Sequence, residues 1–148
     1  MSLEEKINSD LKDAMRAKDA VALRGIRAIK SAILIQKTDG SGVDLNEESE
    51  IKLLQKLVKQ RKDSLAIYEQ QNRPELAATE REEIDVIERY LPKKMSDDEL
   101  EAALKQIIAH TGASGMKDMG KVMGMASKQF AGQADGQTIS AFVKKLLA

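Results

Sequence analysis

The chain has no cysteine and no tryptophan, and only two prolines, two tyrosines and two phenylalanines among 148 residues. Without cysteine there is no disulfide frame, no thiol nucleophile and no thiolate metal site. A core so poor in aromatics must be built from Leu, Ile, Val, Ala and Met, which suits helix packed on helix. An excess of either charge is also missing: 24 basic and 24 acidic residues give a formal net charge of +0. Attraction of the whole molecule to nucleic acid is therefore weak, and RNA binding would need a local patch. No apolar run approaches the ~20 residues that span a bilayer. The start, MSLEEKINSD, has neither the basic flank nor the apolar stretch of a signal peptide. Together these absences lead us to expect a cytoplasmic protein with no membrane partner.

Hydrophobic residues make up 42% of the chain, and they recur at helical spacing. Ser2 with Glu5 reads as a capping box ahead of Leu3, Ile7, Leu11 and Met15, for a first helix to about Lys18. Asp19 caps a second helix that carries Leu23, Ile26, Ile29 and Ile33 to near Thr38. Thr38–Asp44, TDGSGVD, has the composition of a loop. Asn46 opens a long third helix with Ile51, Leu54, Val58, Leu65 and Tyr68, in which Arg61 takes one apolar slot. Asn72-Arg73-Pro74 breaks it, and a fourth helix with Leu76, Ile84, Ile87 and Leu91 runs to Pro92. From Lys52 to Lys62 the third helix bears only basic charges, whereas the fourth is rich in Glu. A short loop makes them antiparallel neighbours, with charge complementarity to help set their register.

Leu91–Ser96 is the candidate linker. After it, Ser96 with Glu99 reads as a second capping box for a helix carrying Leu100, Leu104, Ile107 and Ile108, which ends before Gly112. Ser114 would cap a helix from about Met116 to Phe130. A turn over Gly132–Gly136 follows, and Asp135 caps the last helix. The expectation is an all-α protein: an N-terminal four-helix domain over 1–92 and a small C-terminal three-helix bundle over 93–148.

Gly112–Gly136 is unusually rich in glycine, methionine and lysine. Glycine inside a helix costs roughly 1 kcal/mol relative to alanine, so Gly120 and Gly124 call for an explanation. One is close packing against another helix of the chain. The other is a bare surface that admits a sugar–phosphate backbone, with Lys117, Lys121 and Lys128 alongside to meet phosphates; the same lysines also read as a solvated stripe. Met116, Met119, Met123 and Met125 read as adaptable core or as a methionine-rich docking groove. Gly115–Val122 matches the phosphate-binding P-loop pattern at seven of eight positions, but Val122 stands where a magnesium-binding hydroxyl is required and no strand precedes it. The match is a decoy. Lys59, Arg61 and Lys62 form a possible second basic patch. His110, the single histidine, lies near a helix C-terminus, where a cation is favoured. No nucleophile–base pair is legible, so no catalytic residue, metal or cofactor is assigned.

At Lys59–Ser64 (KQRKDS), Ile87–Leu100 (IERYLPKKMSDDEL), Gly112–Gly124 (GASGMKDMGKVMG) and Gly132–Ser140 (GQADGQTIS), the sequence closely resembles the GatB/YqeY family, over essentially its whole length. The same domain forms the C-terminal tail of the B subunit of the tRNA-dependent Asp/Glu amidotransferase. The resemblance implies four helices followed by three, and a tie to tRNA and to carbon–nitrogen ligation with glutamine as amido-N-donor. The catalytic region of the B subunit and the Ser-Ser-Lys machinery of a glutaminase are both missing here. What carries over is therefore a non-catalytic tRNA- or RNA-binding accessory role in translation, with contact at Lys117, Gly120, Lys121 and Gly124; Lys128 is added from the helical face. A tRNA synthetase or an amidotransferase component is the implied protein partner. Two alternatives stand beside this: a protein–protein adaptor docking through the Gly/Met helix, and an amidotransferase subunit.

Overall fold

Five of the seven α-helices begin where a side chain takes up an otherwise unpaired backbone N–H. In the computed structural model, which describes residues 2–40 and 45–148, Ser2 Oγ accepts from Glu5 N–H and the Glu5 carboxylate accepts from Ser2 N–H. This starts α1 (Leu3–Ala17). Lys18 closes it in the left-handed conformation (φ 55°), and Asp19 caps α2 (Ala20–Thr38). Residues 41–44 of the loop expected at Thr38–Asp44 lie outside the described residues. Asn46 and Ser49 exchange reciprocal bonds at the head of α3 (Glu47–Gln70), and Pro74 occupies the first turn of α4 (Pro74–Glu88). Ser96 caps α5 (Asp97–Thr111), which ends on left-handed Gly112. A 3-10 turn (Met116–Asp118) leads into α6 (Met119–Gln129), and Asp135 caps α7 (Gly136–Leu147). Among the described residues there are seven α-helices and no strand: the fold is all-α.

Backbone contacts divide the chain into two compact units, Met1–Leu91 and Pro92–Ala148. In the first, Ile7, Ile29, Leu54, Val86 and Ile87 are almost wholly buried. Helices α2 and α4 meet closely at Gly25, where an added Cβ would stand 2.5 Å from Val86 Cγ1 and 2.6 Å from Val86 Cβ. Ion pairs join α4 to its neighbours: Arg61–Glu83 at 3.9 Å and Lys62–Glu88 at 3.8 Å from α3, and Arg24–Glu82 from α2. Tyr90, just past α4, donates its hydroxyl hydrogen to Asp10 Oδ2 on α1 at 2.5 Å. Burial, reinforced by this bond, pushes the Tyr90 phenol well above its usual range.

The second unit packs α5, α6 and α7 around Leu100, Leu104, Ile107, Val122, Ala126, Phe130, Ile139, Val143 and Leu147. Met95 N–H donates to Gln133 O at 3.0 Å, and Gln133 Nε2 donates to Lys93 O. The residues expected to be a linker are thus partly stitched to the α6–α7 turn.

Three expected elements differ in detail. Ser96 Oγ accepts from Glu99 N–H, but the Glu99 side chain returns no bond, so the second capping box is only half formed. Helix α4 stops at Glu88 rather than at Pro92; Leu91, the residue before the proline, is disfavoured in the α conformation, so the helix ends ahead of it. The Gly/Met helix is not continuous from Met116, and Ser114 does not cap it. Ser114 instead donates its N–H to Asp118 Oδ2 at 3.0 Å. The Asp118 side chain competes for backbone donors in the way that favours a turn over a helix.

Candidate nucleic-acid interface

Helix α6 has two faces of opposite character. Val122 and Ala126 are fully buried, and Met119 and Met123 pack half-buried against the same core. At ~100° per residue, Gly120, Lys121, Gly124 and Lys128 fall within about 100° of arc on the opposite side. All four are exposed, as is Lys117 on the preceding 3-10 turn. None of the three lysines forms an ion pair among the described residues.

The glycines on this face have no internal justification. A Cβ added to Gly115, Gly120 or Gly124 would meet nothing within 4 Å. None of the three has positive φ; among the described glycines that conformation belongs to Gly40, Gly112 and Gly132. No other helix of the unit lies against Gly120 and Gly124, so the close-packing explanation has nothing to support it. The helix pair that does need a glycine meets at Gly25, which sequence reasoning missed because a lone glycine in an apolar stripe carries no spacing signal.

Two of the lysines are also placed against the helix field. The start of a helix carries partial positive charge, which favours carboxylates and disfavours cations. Helix α6 has no acidic residue in its first turn, and Lys117 and Lys121 flank that end. One carboxylate, Asp118, stands at that end as the residue before Met119, and it also accepts from Ser114 N–H. The arrangement suits an external anion whose backbone comes close to the helix axis.

The methionines divide between the two roles offered for them. Met119 and Met123 belong to the core, whereas Met116 and Met125 are 49% and 37% exposed. Val122, at the P-loop hydroxyl position, has 0% exposure, and the 3-10 turn and helix rather than a strand surround it.

The basic residues of the first unit are placed differently. The Arg61 side chain is only 18% exposed and lies 3.9 Å from Glu83. Its Nη1 donates to Leu57 O at 3.1 Å, while its buried Nε has no hydrogen-bond partner among the described residues. Arg61 therefore lays its stem in the α3 stripe and meets α4. Lys62 meets Glu88, and Lys59 is exposed. The three do not converge on one outward surface.

The family model described as Yqey-like protein matches residues 4–147. The chain belongs to the Yqey-like protein family. This Yqey-like chain is also similar to proteins named "Altered inheritance of mitochondria protein 41, mitochondrial". That of Lachancea thermotolerans is 36% identical over 104 residues, covering 69% of this chain and 56% of the relative. That of Meyerozyma guilliermondii is 37% identical over 128 residues, covering 82% and 65%. For Saccharomyces cerevisiae the figures are 35% over 95 residues, 64% and 51%. The Yqey-like chain thus spans between about half and two thirds of the length of these relatives. Their names correct one expectation: they are mitochondrial proteins, which points away from a cytoplasmic location. Composition failed as a guide because a charge-balanced helical domain folds by the same physics in any aqueous compartment.

Proposed function

We propose that this Yqey-like chain is a non-catalytic RNA-binding accessory module that holds the sugar–phosphate backbone of tRNA, or of another folded RNA, on the outer face of α6. Gly120 and Gly124 let the backbone approach, and Lys117, Lys121 and Lys128 neutralise its phosphates. One observation carries the reading: two helical glycines with open space above them, beside lysines that have no carboxylate partner. By family resemblance the setting is tRNA-dependent amidation, with a tRNA synthetase or amidotransferase component nearby. Lys59, Arg61 and Lys62 are left out of the binding face, because α4 already engages two of them.

The test is an anisotropy titration of labelled tRNA over a range of salt. Affinity should fall steeply with salt, and Lys117→Ala/Lys121→Ala should lower the slope of log K against log salt by about 2. Absence of any affinity at low salt would defeat the proposal, as would an unchanged slope in the double variant.

The exposure of Met116 and Met125 favours a second reading, a protein adaptor docking on the same Gly/Met face. Its binding would be insensitive to salt and lost in Met125→Glu. The probe belongs on Met125 rather than on Met119 or Met123, whose substitution would disturb the core.

A further inference from the structure

Two hydrogen bonds assign the ends of the second unit. Met95 and Lys93, ahead of α5, both bond to Gln133 in the α6–α7 turn. The start of α5, the end of α6 and the start of α7 therefore share one end, and a short turn makes α6 and α7 antiparallel. The start of α6 and the end of α7 share the other. Lys121 stands eight residues before Gln129, and Lys144 eight residues after Gly136. At 1.5 Å per residue each is about 12 Å from the turn, so both lie at the same level.

The far end of this axis is basic with a single carboxylate, whereas the turn end mixes Lys93, Lys94 and Lys128 with several carboxylates. Asp97, Asp98 and Glu99 occupy the first turn of α5 and Asp135 caps α7, all at the turn end. At the far end are Lys117, Lys121, Lys144 and Lys145. Between Ala102 and Ala134 the sequence has a single carboxylate, Asp118, and it is already bonded to Ser114 N–H. Lys144 and Lys145 are exposed and form no ion pair among the described residues. Compensation of the α7 dipole explains lysines in its last turn. It does not explain lysines at the start of α6, where the same effect opposes them.

We infer that this basic end is one phosphate-binding surface, in which Lys144 and Lys145 of α7 join Lys117 and Lys121, and that its occupant is the double-helical part of a folded RNA. The inference rests on the RNA reading above and deepens it. Duplex is favoured over single strand because the surface offers no stacking platform: Phe130 is buried and Phe142 packs against the core.

The experiment uses the full chain and a fluorescein-labelled RNA hairpin, titrated across salt concentrations. Lys144→Gln/Lys145→Gln should lower the salt slope by about 2, and Lys144→Arg/Lys145→Arg should restore it. A role confined to helix stability would shift the thermal midpoint and leave the slope alone. If the glutamine pair keeps the full slope while Lys117→Ala/Lys121→Ala loses it, RNA binding stands and the extension to α7 falls. Equal or tighter binding of an unstructured RNA of the same length would overturn the assignment to duplex. Binding to vesicles of anionic phospholipid without affinity for the hairpin would overturn both readings.

Discussion

Replacing Gly120 and Gly124 by alanine sets stability against binding. Alanine is favoured over glycine in a helix interior by about 0.5–1 kcal/mol, through the smaller entropy lost on folding. Nothing lies within 4 Å of either added methyl group, so no steric cost opposes this gain. The double variant should therefore be more stable by about 1–2 kcal/mol. In a domain of 60–100 residues 1 kcal/mol moves Tm by about 4–8 °C. The same methyls would hold a phosphate backbone away from the helix, and RNA affinity should drop about tenfold, equivalent to about 1.4 kcal/mol. Gly25→Ala makes the internal control. There the new Cβ would sit 2.6 Å from Val86 Cβ, an atom fixed to the backbone that no rotamer change can move. Helices α2 and α4 would have to part, at an overpacking cost of about 1–3 kcal/mol that the propensity gain offsets only in part. Urea denaturation with amide hydrogen exchange would read both effects and locate each in its unit. A stabilised Gly120→Ala/Gly124→Ala protein that binds RNA as before would refute the functional explanation. A destabilised one would show that these glycines are packed after all.

Two further outcomes follow from the first unit. Because the Tyr90 phenol is raised above its unfolded value, its contribution to stability is complete below about pH 10 and is lost as pH climbs through the folded-state value. Tyr90→Phe should flatten that alkaline loss and, by releasing Asp10, cost about 1 kcal/mol at neutral pH; parallel alkaline slopes in the two proteins would exclude the linkage. Arg61→Met should destabilise by about 1–2 kcal/mol because it strands the half-buried Glu83, and adding Glu83→Gln should recover most of the loss. RNA affinity should be the same in both, and a weakened salt slope in Arg61→Met would return Arg61 to the binding surface.

Much of the fold was legible because its signals are local. Ser2, Asp19, Ser96 and Asp135 cap where a polar oxygen precedes an apolar stripe, and Pro74 and Gly112 mark ends through their own backbone preferences. What escaped were the contacts that only the fold brings together. Tyr90 and Asp10 lie far apart in sequence, and so do Gly25 and Val86. Asp118 deceived for another reason: its spacing fits a helix interior, while its side chain takes the Ser114 N–H and turns the chain into a 3-10 segment. At the candidate surface the sequence pointed to Lys117, Gly120, Lys121 and Gly124, and the fold adds that all four are exposed. Arg61 shows the converse, since its place in the apolar stripe already pointed toward α4 and away from solvent.

The two kinds of glycine in this chain support opposite inferences from the same chemistry. At Gly25 the missing side chain is used inside the molecule, and the core gained by the approach of α2 to α4 outweighs the lost propensity. At Gly120 and Gly124 no such return exists among the described residues, although each exposed helical glycine still weakens α6. Lys117 and Lys121 add a second unfavourable choice, two cations at the positive end of a helix with Asp118 as the one carboxylate beside them. One such feature on a surface is ordinary. Both fall on the same arc of one short helix, and a single external body removes both costs: an anionic backbone thin enough to lie against bare helix. A partner helix would make use of the glycines but would leave the lysines at the helix start with Asp118 alone to offset them, unless it presented carboxylates there. The salt dependence of binding therefore decides between the two.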